Sequence, residues 1–270
     1  MFLGCGKRPL KTANLIVGGE EAIPHSWPWA TALYRVNSGR NYFQCGGTIL
    51  NNRIILTAAH CVKRPFQTLT AADFVVKVGA HHLDSSGSFA EVEQIITHEN
   101  YSPTYHNDDI ALLRLKVPLD FSNEHLAPVC LPSSAASDEG RHVGLMTNMV
   151  GWGVQSPTSG ASSPLLHEVQ VPISSQRQCK KAYTELMGAE SAVYLNWNNT
   201  FCASYEQGEK DTCKGDSGSS STVLDESTNT YTQIGIVSFG YGCAQAGYPG
   251  VYTYVNKYLG WIAAHMQADS

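Results

Sequence analysis

Short apolar runs rich in β-branched and aromatic residues recur along this chain, separated by clusters of Gly, Pro, Ser and Asn. Clear examples are the runs at 54–56, 74–78, 91–96 and 234–239. This rhythm is typical of all-β sandwiches and barrels. Helical periodicity is confined to a modest segment at 175–186 and a stronger one at 257–267, so helices are expected only at the periphery.

A Ser- and Ala-rich stretch at 132–139 interrupts this rhythm near the middle of the chain. Such a stretch indicates a linker between two similar halves. With 270 residues, the chain is within the size that a two-barrel β protein carries as one unit. We therefore expect an N-terminal half over 16–131 and a C-terminal half over 132–270.

Composition excludes several classes of partner. Apolar residues make up 43% of the chain, charged residues 15%, and the net charge is -5. A chain with no basic surplus has no electrostatic attraction to nucleic acid or to an acidic membrane surface. Since no apolar run is long enough to cross a bilayer, we expect neither nucleic acid nor membrane as a partner.

The eight cysteines stand singly, without a CxxC pair or the Cys/His spacing of a zinc site. Four disulfides are the simplest interpretation, which predicts a secreted, extracellular protein; buried free thiols in a cytosolic protein are the alternative. The opening Met1-Phe2-Leu3 is too short for a signal-peptide core, so we expect that a signal was removed.

Three short motifs carry the candidate chemistry: Thr-Ala-Ala-His-Cys at 57–61, Asn-Asp-Asp-Ile-Ala-Leu-Leu at 107–113 and Gly-Asp-Ser-Gly at 215–218. A serine hydroxyl is a weak nucleophile that needs an adjacent base, and the base needs a carboxylate to fix its tautomer. Each motif alone has an ordinary structural explanation, such as a core histidine or a turn. Together they supply a histidine, an aspartate and a serine.

The order and flanking residues of these motifs resemble the chymotrypsin family of serine proteases, and the resemblance runs from Ile16 to the carboxyl end. It implies an all-β fold of two packed antiparallel six-stranded barrels with a C-terminal helix. It implies further that Ser217 is the nucleophile, that His60 is the general base and that Asp109 is the carboxylate partner of His60. The backbone N–H groups of Gly215 and Ser217 would form the oxyanion hole. Asp108 is the competing carboxylate, but the family pattern places the partner directly before Ile-Ala-Leu-Leu.

By the same resemblance, Asp211 lies at the base of the specificity pocket, six residues before the nucleophile. Ser238, Gly240 and Gly250 are the other expected substrate-binding positions. A buried carboxylate favours a cationic substrate side chain, which predicts cleavage after Arg or Lys. Alternatively, Asp211 is an ordinary surface residue that does not line the pocket, and the enzyme cleaves after large apolar residues.

Ile16-Val17-Gly18-Gly19 resembles the amino terminus that this family exposes on activation. Residues 1–15 would then be a propeptide, and the Ile16 ammonium would pair with Asp216 to order the site. Leu15 departs from the pattern, because a trypsin-like enzyme does not cut after leucine. We therefore expect a separate activating protease of apolar specificity.

The resemblance also implies the disulfides Cys5–Cys130, Cys45–Cys61, Cys179–Cys202 and Cys213–Cys243. We expect a monomer that needs no cofactor, metal or calcium. Its expected partners are protein or peptide substrates, the activating protease and protein protease inhibitors.

The chain departs from the family pattern near the nucleophile. Ser219 and Ser220 replace the usual Gly-Pro after the nucleophile, and Phe239 replaces a more usual tryptophan. A catalytically silent homologue that acts as a binding module is the main rival interpretation.

Overall fold

The computed structural model describes residues 4–9, 19–133, 140, 142–154, 161–188, 195–205, 207–208, 215–242 and 246–266. In chain order the strands are β1 (Glu20–Glu21), β2 (Ala30–Asn37), β3 (Arg40–Ile49), β4 (Ile54–Thr57), β5 (Phe74–Val78), β6 (Ser88–Thr97), β7 (Ala111–Leu115), β8 (Met146–Gly151), β9 (His167–Pro172), β10 (Thr200–Ala203), β11 (Ser220–Asp225), β12 (Thr230–Phe239) and β13 (Gly250–Tyr254). The predicted all-β class is confirmed.

The first half forms a closed antiparallel barrel in the order β2-β3-β4-β7-β6-β5. Its first hairpin turns at Ser38 and Gly39, whose φ angles of 50° and 74° are both positive. Two such residues give the tight turn that matches the twist of the flanking strands, which fixes Asn37 opposite Arg40. Fully buried side chains from several strands, such as Leu33, fill the interior.

The second half contributes six strands to a seven-stranded sheet in the order β1-β9-β8-β11-β12-β13-β10. The seventh strand, β1, comes from the N-terminal half, where Glu20 pairs with Glu168. The expected second set of six strands is therefore present, with one short strand added from the other half. Within the described residues this sheet is open, because its two edge strands, β1 and β10, are not hydrogen-bonded to each other.

Two peripheral α-helices match the predicted segments. Helix α1 (Gln176–Met187) is capped by Ser175, whose hydroxyl and backbone exchange hydrogen bonds with Gln178 in a capping box. Helix α2 (Leu259–Met266) follows a 3₁₀ turn at Val255–Tyr258. No helix within the described ranges has both the length and the apolar character needed to cross a bilayer.

Candidate active site

Strand pairing brings His60 and Asp109 to the same end of the barrel. β4 and β7 run antiparallel with Thr57 opposite Ala111. His60 lies three residues beyond Thr57, in a 3₁₀ turn over Ala59–Cys61, and Asp109 lies two residues before Ala111. Since the end of β4 meets the start of β7, two motifs about fifty residues apart in sequence become neighbours.

Asp109 holds His60 at two points. The backbone N–H of His60 donates to Asp109 Oδ1 at 2.9 Å, and His60 Nδ1 lies 2.8 Å from Oδ2. Ser238 Oγ also donates to Oδ2, at 2.5 Å. Asp109 is 1% exposed, so these contacts replace the water that a free carboxylate would bind. The imidazole is left with Nε2 as the nitrogen available for acid–base chemistry.

The electrostatics of the pair favour charge on both partners. Burial tends to raise the pKa of Asp109, but the charge of His60 and hydrogen bonds from His60 and Ser238 outweigh it and lower that pKa. Burial tends to lower the pKa of His60, yet the charge of Asp109 and its hydrogen bond raise that pKa above the ordinary value. An imidazolium that forms at His60 is thereby stabilised.

The segment that holds Ser217 packs against β3, against the end of β4 and against β12. The Ser217 carbonyl accepts a hydrogen bond from Gly46 N at 2.7 Å, and the following N–H, of Gly218, donates to Val237 O at 2.8 Å. A Cβ on Gly218 would lie 2.3 Å from Thr57 Oγ1, and Gly218 has a φ of 82°. Only glycine fits this close approach. The nucleophile candidate is thus fixed between the barrel and β12.

Gly215 and Asp216, which precede the serine, pack against the segment after β8. Gly215 has a φ of 100°, in the left-handed region that favours glycine. Asp216 Oδ1 accepts a hydrogen bond from Gly153 N at 2.9 Å, and a Cβ on Gly153 would lie 2.3 Å from Asp216 Oδ2. The predicted activation residues Leu15 and Ile16 lie outside the described residues.

The unusual Ser219 is accommodated by a glycine. Ser219 is 3% exposed, and a Cβ placed on Gly46 of β3 would lie 2.0 Å from Ser219 Oγ. The N–H of Ser219 donates to Asp216 O at 2.9 Å, and its carbonyl accepts from Val237 N at 2.9 Å. The extra side chain therefore fits between the strands while the backbone beside the nucleophile keeps its hydrogen bonds.

The pocket positions implied by the resemblance are only partly described. A Cβ on Gly240 would lie 3.8 Å from Gly250 Cα, so these two glycines face each other. The side chain of Ser238, another predicted substrate-binding residue, donates to Asp109. Asp211 lies outside the described residues, as does Lys214.

His106 is a site residue that sequence reasoning missed. Its ring centroid lies 5.7 Å from that of His60 and 5.5 Å from that of Phe239. Burial and the neighbouring His60 lower its pKa, while Asp109 opposes that shift. Its buried Nδ1 has no hydrogen-bond partner in the described part of the chain. No motif marked this histidine; its position three residues before Asp109 was the one available signal.

Asp108, the competing carboxylate, has a different role. Its Oδ1 accepts hydrogen bonds from Asn199 Nδ2 at 2.9 Å and from the Tyr258 hydroxyl at 2.7 Å. Both donors belong to the C-terminal half. Asp108 therefore connects the two halves directly beside Asp109, and it is Asp109 that contacts His60.

Three disulfides join the pairs that the resemblance implies: Cys5–Cys130, Cys45–Cys61 and Cys179–Cys202. The fourth pair, Cys213–Cys243, lies outside the described residues. The Cys45–Cys61 bond ties β3 to the turn that carries His60. It thereby fixes the strand that holds the Ser217 carbonyl relative to the base.

Two groups of side chains in the described ranges lie close enough to share a metal ion. The first contains Cys45 and Cys61, which are oxidised to a disulfide and offer no thiolate. The second contains His106 with His60 and Asp109, and the Asp109 carboxylate is already bonded to His60 and Ser238. We assign no metal to either group.

The closed six-strand barrel, the second β-sheet and the short C-terminal helix are the architecture of the chymotrypsin-like class of folds. The His60–Asp109 contact lies at the end of the barrel. The family model described as "Trypsin" matches residues 16–262. The chain therefore belongs to the trypsin family of serine proteases.

Similar proteins include two clotting proteins and a venom protease. The clotting factor G beta subunit of Tachypleus tridentatus is 36% identical over 261 residues, which cover 96% of this chain and 81% of that protein. The proclotting enzyme of the same species is 38% identical, over 94% of this chain and 67% of the relative. A venom protease of Bombus pensylvanicus is 36% identical, over 90% and 96%.

Proposed function

We propose that this protein is a secreted serine endopeptidase that hydrolyses peptide bonds after Arg or Lys and is made as a zymogen. The observation that carries the proposal is the pair of hydrogen bonds that join His60 to the buried Asp109, beside the end of β4 against which Gly218 of the Ser217 segment packs. These two hydrogen bonds support the proposal, because activation of a serine needs a base that is held in a fixed orientation.

In the proposed mechanism, Ser217 Oγ attacks the scissile carbonyl carbon while His60 Nε2 takes the hydroxyl proton. The carbonyl oxygen becomes an oxyanion that accepts hydrogen bonds from the N–H groups of Gly215 and Ser217. The C–N bond then breaks as His60 gives its proton to the leaving amine, which leaves an ester on Ser217. Water hydrolyses the ester by the same proton route and restores the free serine.

Asp109 contributes by position and charge. It holds the imidazole so that Nε2 faces the reaction, and its charge stabilises the imidazolium formed in each step. The charge and hydrogen bonds of His60, with a further hydrogen bond from Ser238, lower the pKa of Asp109 and keep the buried carboxylate ionised. Ser238 is therefore a positioning residue in this proposal.

Zymogen activation is the second part of the proposal. Cleavage after Leu15 would free the Ile16 ammonium to pair with Asp216, whose carboxylate is held beside Gly153. A relative named as a proclotting enzyme agrees with synthesis as a precursor. Since Leu15 does not suit an Arg/Lys-specific enzyme, a different protease would activate the chain. Appearance of protein that begins at Ile16, when the purified zymogen is incubated alone, would contradict this part.

Secretion and a two-lobed organisation complete the proposal. Disulfides persist in oxidising compartments, and three are present in the described ranges. The proposed units are the propeptide over 1–15, an N-terminal half over 16–131 and a C-terminal half over 132–270. The proposed partners are protein or peptide substrates, the activating protease and protein inhibitors, and the proposed state is a monomer.

The test of activity and specificity compares chromogenic peptides that end in Arg, Lys or Phe, before and after cleavage between Leu15 and Ile16. We expect hydrolysis after Arg and Lys only in the cleaved protein, and none in Ser217→Ala. Asp211→Ser should lower the Arg-over-Phe preference by about 10³-fold or more, because the substrate cation loses its partner. Asp225→Ser, which removes an exposed aspartate, is the matched control and should leave the preference unchanged.

Faster cleavage after Phe in the unsubstituted enzyme would overturn the proposed specificity but keep the enzyme. Absence of activity with a correctly formed Ile16 terminus would favour the catalytically silent homologue.

A further inference from the structure

Leader residues 4–9 lie directly on the body of the protein. Gly6 N donates to Pro128 O at 2.8 Å, and Tyr231 N donates to Gly6 O at 2.8 Å. Gly6 has a φ of 69°, and a Cβ there would lie 2.2 Å from Tyr231 O. The adjacent disulfide, Cys5–Cys130, closes the same contact. The leader is thus bonded to the body on both sides of its backbone.

Arg8 inserts its side chain into a notch on the body and is only 7% exposed there. Its Nε donates to Ser26 O at 2.8 Å, and one terminal nitrogen lies 3.4 Å from Glu168 Oε2. The guanidinium carbon lies 4.0 Å from the ring centroid of Trp27 and 5.7 Å from that of Tyr231. Trp27 Nε1 donates to the same Glu168 carboxylate.

These four partners suit a guanidinium. A planar, weakly hydrated cation stacks on aromatic faces and donates in several directions at once. Glu168 supplies the opposite charge that a buried cation needs. The neighbouring Lys7 contrasts with Arg8, since it donates at the surface to Thr228 O at 2.5 Å and to Thr230 Oγ1 at 2.7 Å.

The notch also joins the two halves. Ser26 and Trp27 precede β2 of the barrel, whereas Glu168 and Tyr231 belong to β9 and β12 of the second sheet. Glu168 is also the residue paired with Glu20 in β1, the strand that follows the proposed activation site. The leader therefore binds where the start of the activated chain meets the C-terminal half.

We infer that Ser26, Trp27, Glu168 and Tyr231 form a guanidinium-binding site, the Arg8 site, that keeps the leader bound after the Leu15–Ile16 bond is cut, even without the Cys5–Cys130 disulfide. The inference deepens the proposed zymogen function and rests on it for its biological setting. In the activated enzyme the leader would then be held at two points, the Cys5–Cys130 disulfide and the Arg8 site.

The test removes the disulfide with Cys5→Ser and Cys130→Ser, and replaces residues 11–15 by Asp-Asp-Asp-Asp-Lys so that enteropeptidase cuts before Ile16. Ser217→Ala in the same chain prevents self-digestion. After cutting, gel filtration and intact-mass spectrometry measure how much leader stays with the body. We expect the leader to co-elute with the body, and Arg8→Ala to weaken its binding by about 30-fold or more.

Lys7→Ala is the matched control, because it removes an adjacent cation whose hydrogen bonds run to Thr228 and Thr230, outside the Arg8 site. We expect it to weaken leader binding less than about threefold. Loss of the leader while Arg8 is intact, or equal losses in the two alanine variants, would overturn the inference. Retention is measured in an inactive protein, so a failure of the proposed catalytic function does not affect the result.

A second measurement covers the case in which the cysteine variant does not fold. With the disulfide intact, hydrogen exchange at the N–H groups of Gly6 and Tyr231 reports how firmly the leader is bound. We expect Arg8→Ala to speed this exchange at least tenfold more than Lys7→Ala does. Equal exchange rates in the two variants would contradict a specific role for Arg8.

Discussion

At the residue scale, Asp109 changes the acid–base behaviour of His60. Burial opposes a charge on the imidazole, but the Asp109 carboxylate at 2.8 Å more than offsets it and raises the His60 pKa. As a base, His60 must be neutral before it can take the Ser217 proton. A raised pKa therefore moves the acid limb of the activity profile toward higher pH.

We predict that kcat/KM of the activated enzyme falls to half its plateau at a pH above 6.5, the ordinary value for histidine. A pH profile with a neutral chromogenic peptide measures this midpoint. Asp109→Asn should move it to lower pH, because the negative charge that raises the pKa is removed. A midpoint below 6.5 in the unsubstituted enzyme would contradict the proposed coupling.

The two adjacent aspartates give a second residue-scale prediction. Asp109→Asn should lower kcat by about 10⁴-fold, because the amide no longer holds the required imidazole tautomer. Asp108→Asn is the matched control, since Asp108 contacts Tyr258 and Asn199 and does not hold His60. We expect it to lower kcat less than about tenfold. Equal losses in the two variants would show that Asp109 has no special role.

At the element scale, β3 and the segment after the nucleophile fit together through Gly46 and Ser219. We predict that Gly46→Ala destabilises the protein by about 1–3 kcal/mol, because its Cβ would overlap Ser219 Oγ. Adding Ser219→Gly should recover a large part of that loss. Urea unfolding of the single and double variants measures both effects, and purely additive free energies would argue against a direct contact.

Much of the secondary structure was predictable because it is periodic. The β-branched run at 74–78 coincides with β5, and helix α1 begins one residue after the start of the predicted segment. β1 was not predictable, since two consecutive glutamates show no alternation and pair only because β9 offers an edge. Local sequence patterns therefore predict elements that bury an apolar face of their own. They do not predict a short strand such as β1, which forms because a neighbouring strand offers an unpaired edge.

At the scale of the whole molecule, the site depends on contacts between the two halves. Tyr258 donates to Asp108 at 2.7 Å, and Thr253 Oγ1 donates to Asp109 O at 2.9 Å. Burial raises the pKa of Tyr258, and the bond to Asp108 adds to that shift, so its hydroxyl stays protonated as a donor. The C-terminal half therefore positions the loop that carries Asp109, the proposed catalytic carboxylate of the N-terminal half.

We predict that Tyr258→Phe lowers the free energy of unfolding by about 1–3 kcal/mol, because a partly buried carboxylate loses a hydrogen bond. It should also lower kcat more than it changes KM, since the Asp109 loop moves while the substrate pocket does not. Tyr42→Phe, at a half-exposed tyrosine, is the control and should change stability by less than about 0.5 kcal/mol. Equal effects of the two substitutions would contradict the coupling.

The candidate triad could be proposed from sequence because each member lies in a short motif of known type. The contacts around it could not. Ser238 and Asp109 are 129 positions apart, and Arg8 and Glu168 are 160 positions apart, with no spacing that relates either pair. Such contacts depend on how the two halves pack together, which local sequence patterns do not specify.

The proposed activation of Ser217 by His60 is tested by labelling with a fluorophosphonate, which reacts with a serine that an adjacent base has activated. The protein is cut before Ile16, labelled and digested, and mass spectrometry locates the modification. We predict one phosphonylated residue, Ser217, with no labelling in His60→Ala or Ser217→Ala. An unlabelled protein with a correctly formed Ile16 terminus, or a label on another serine, would contradict the proposed triad.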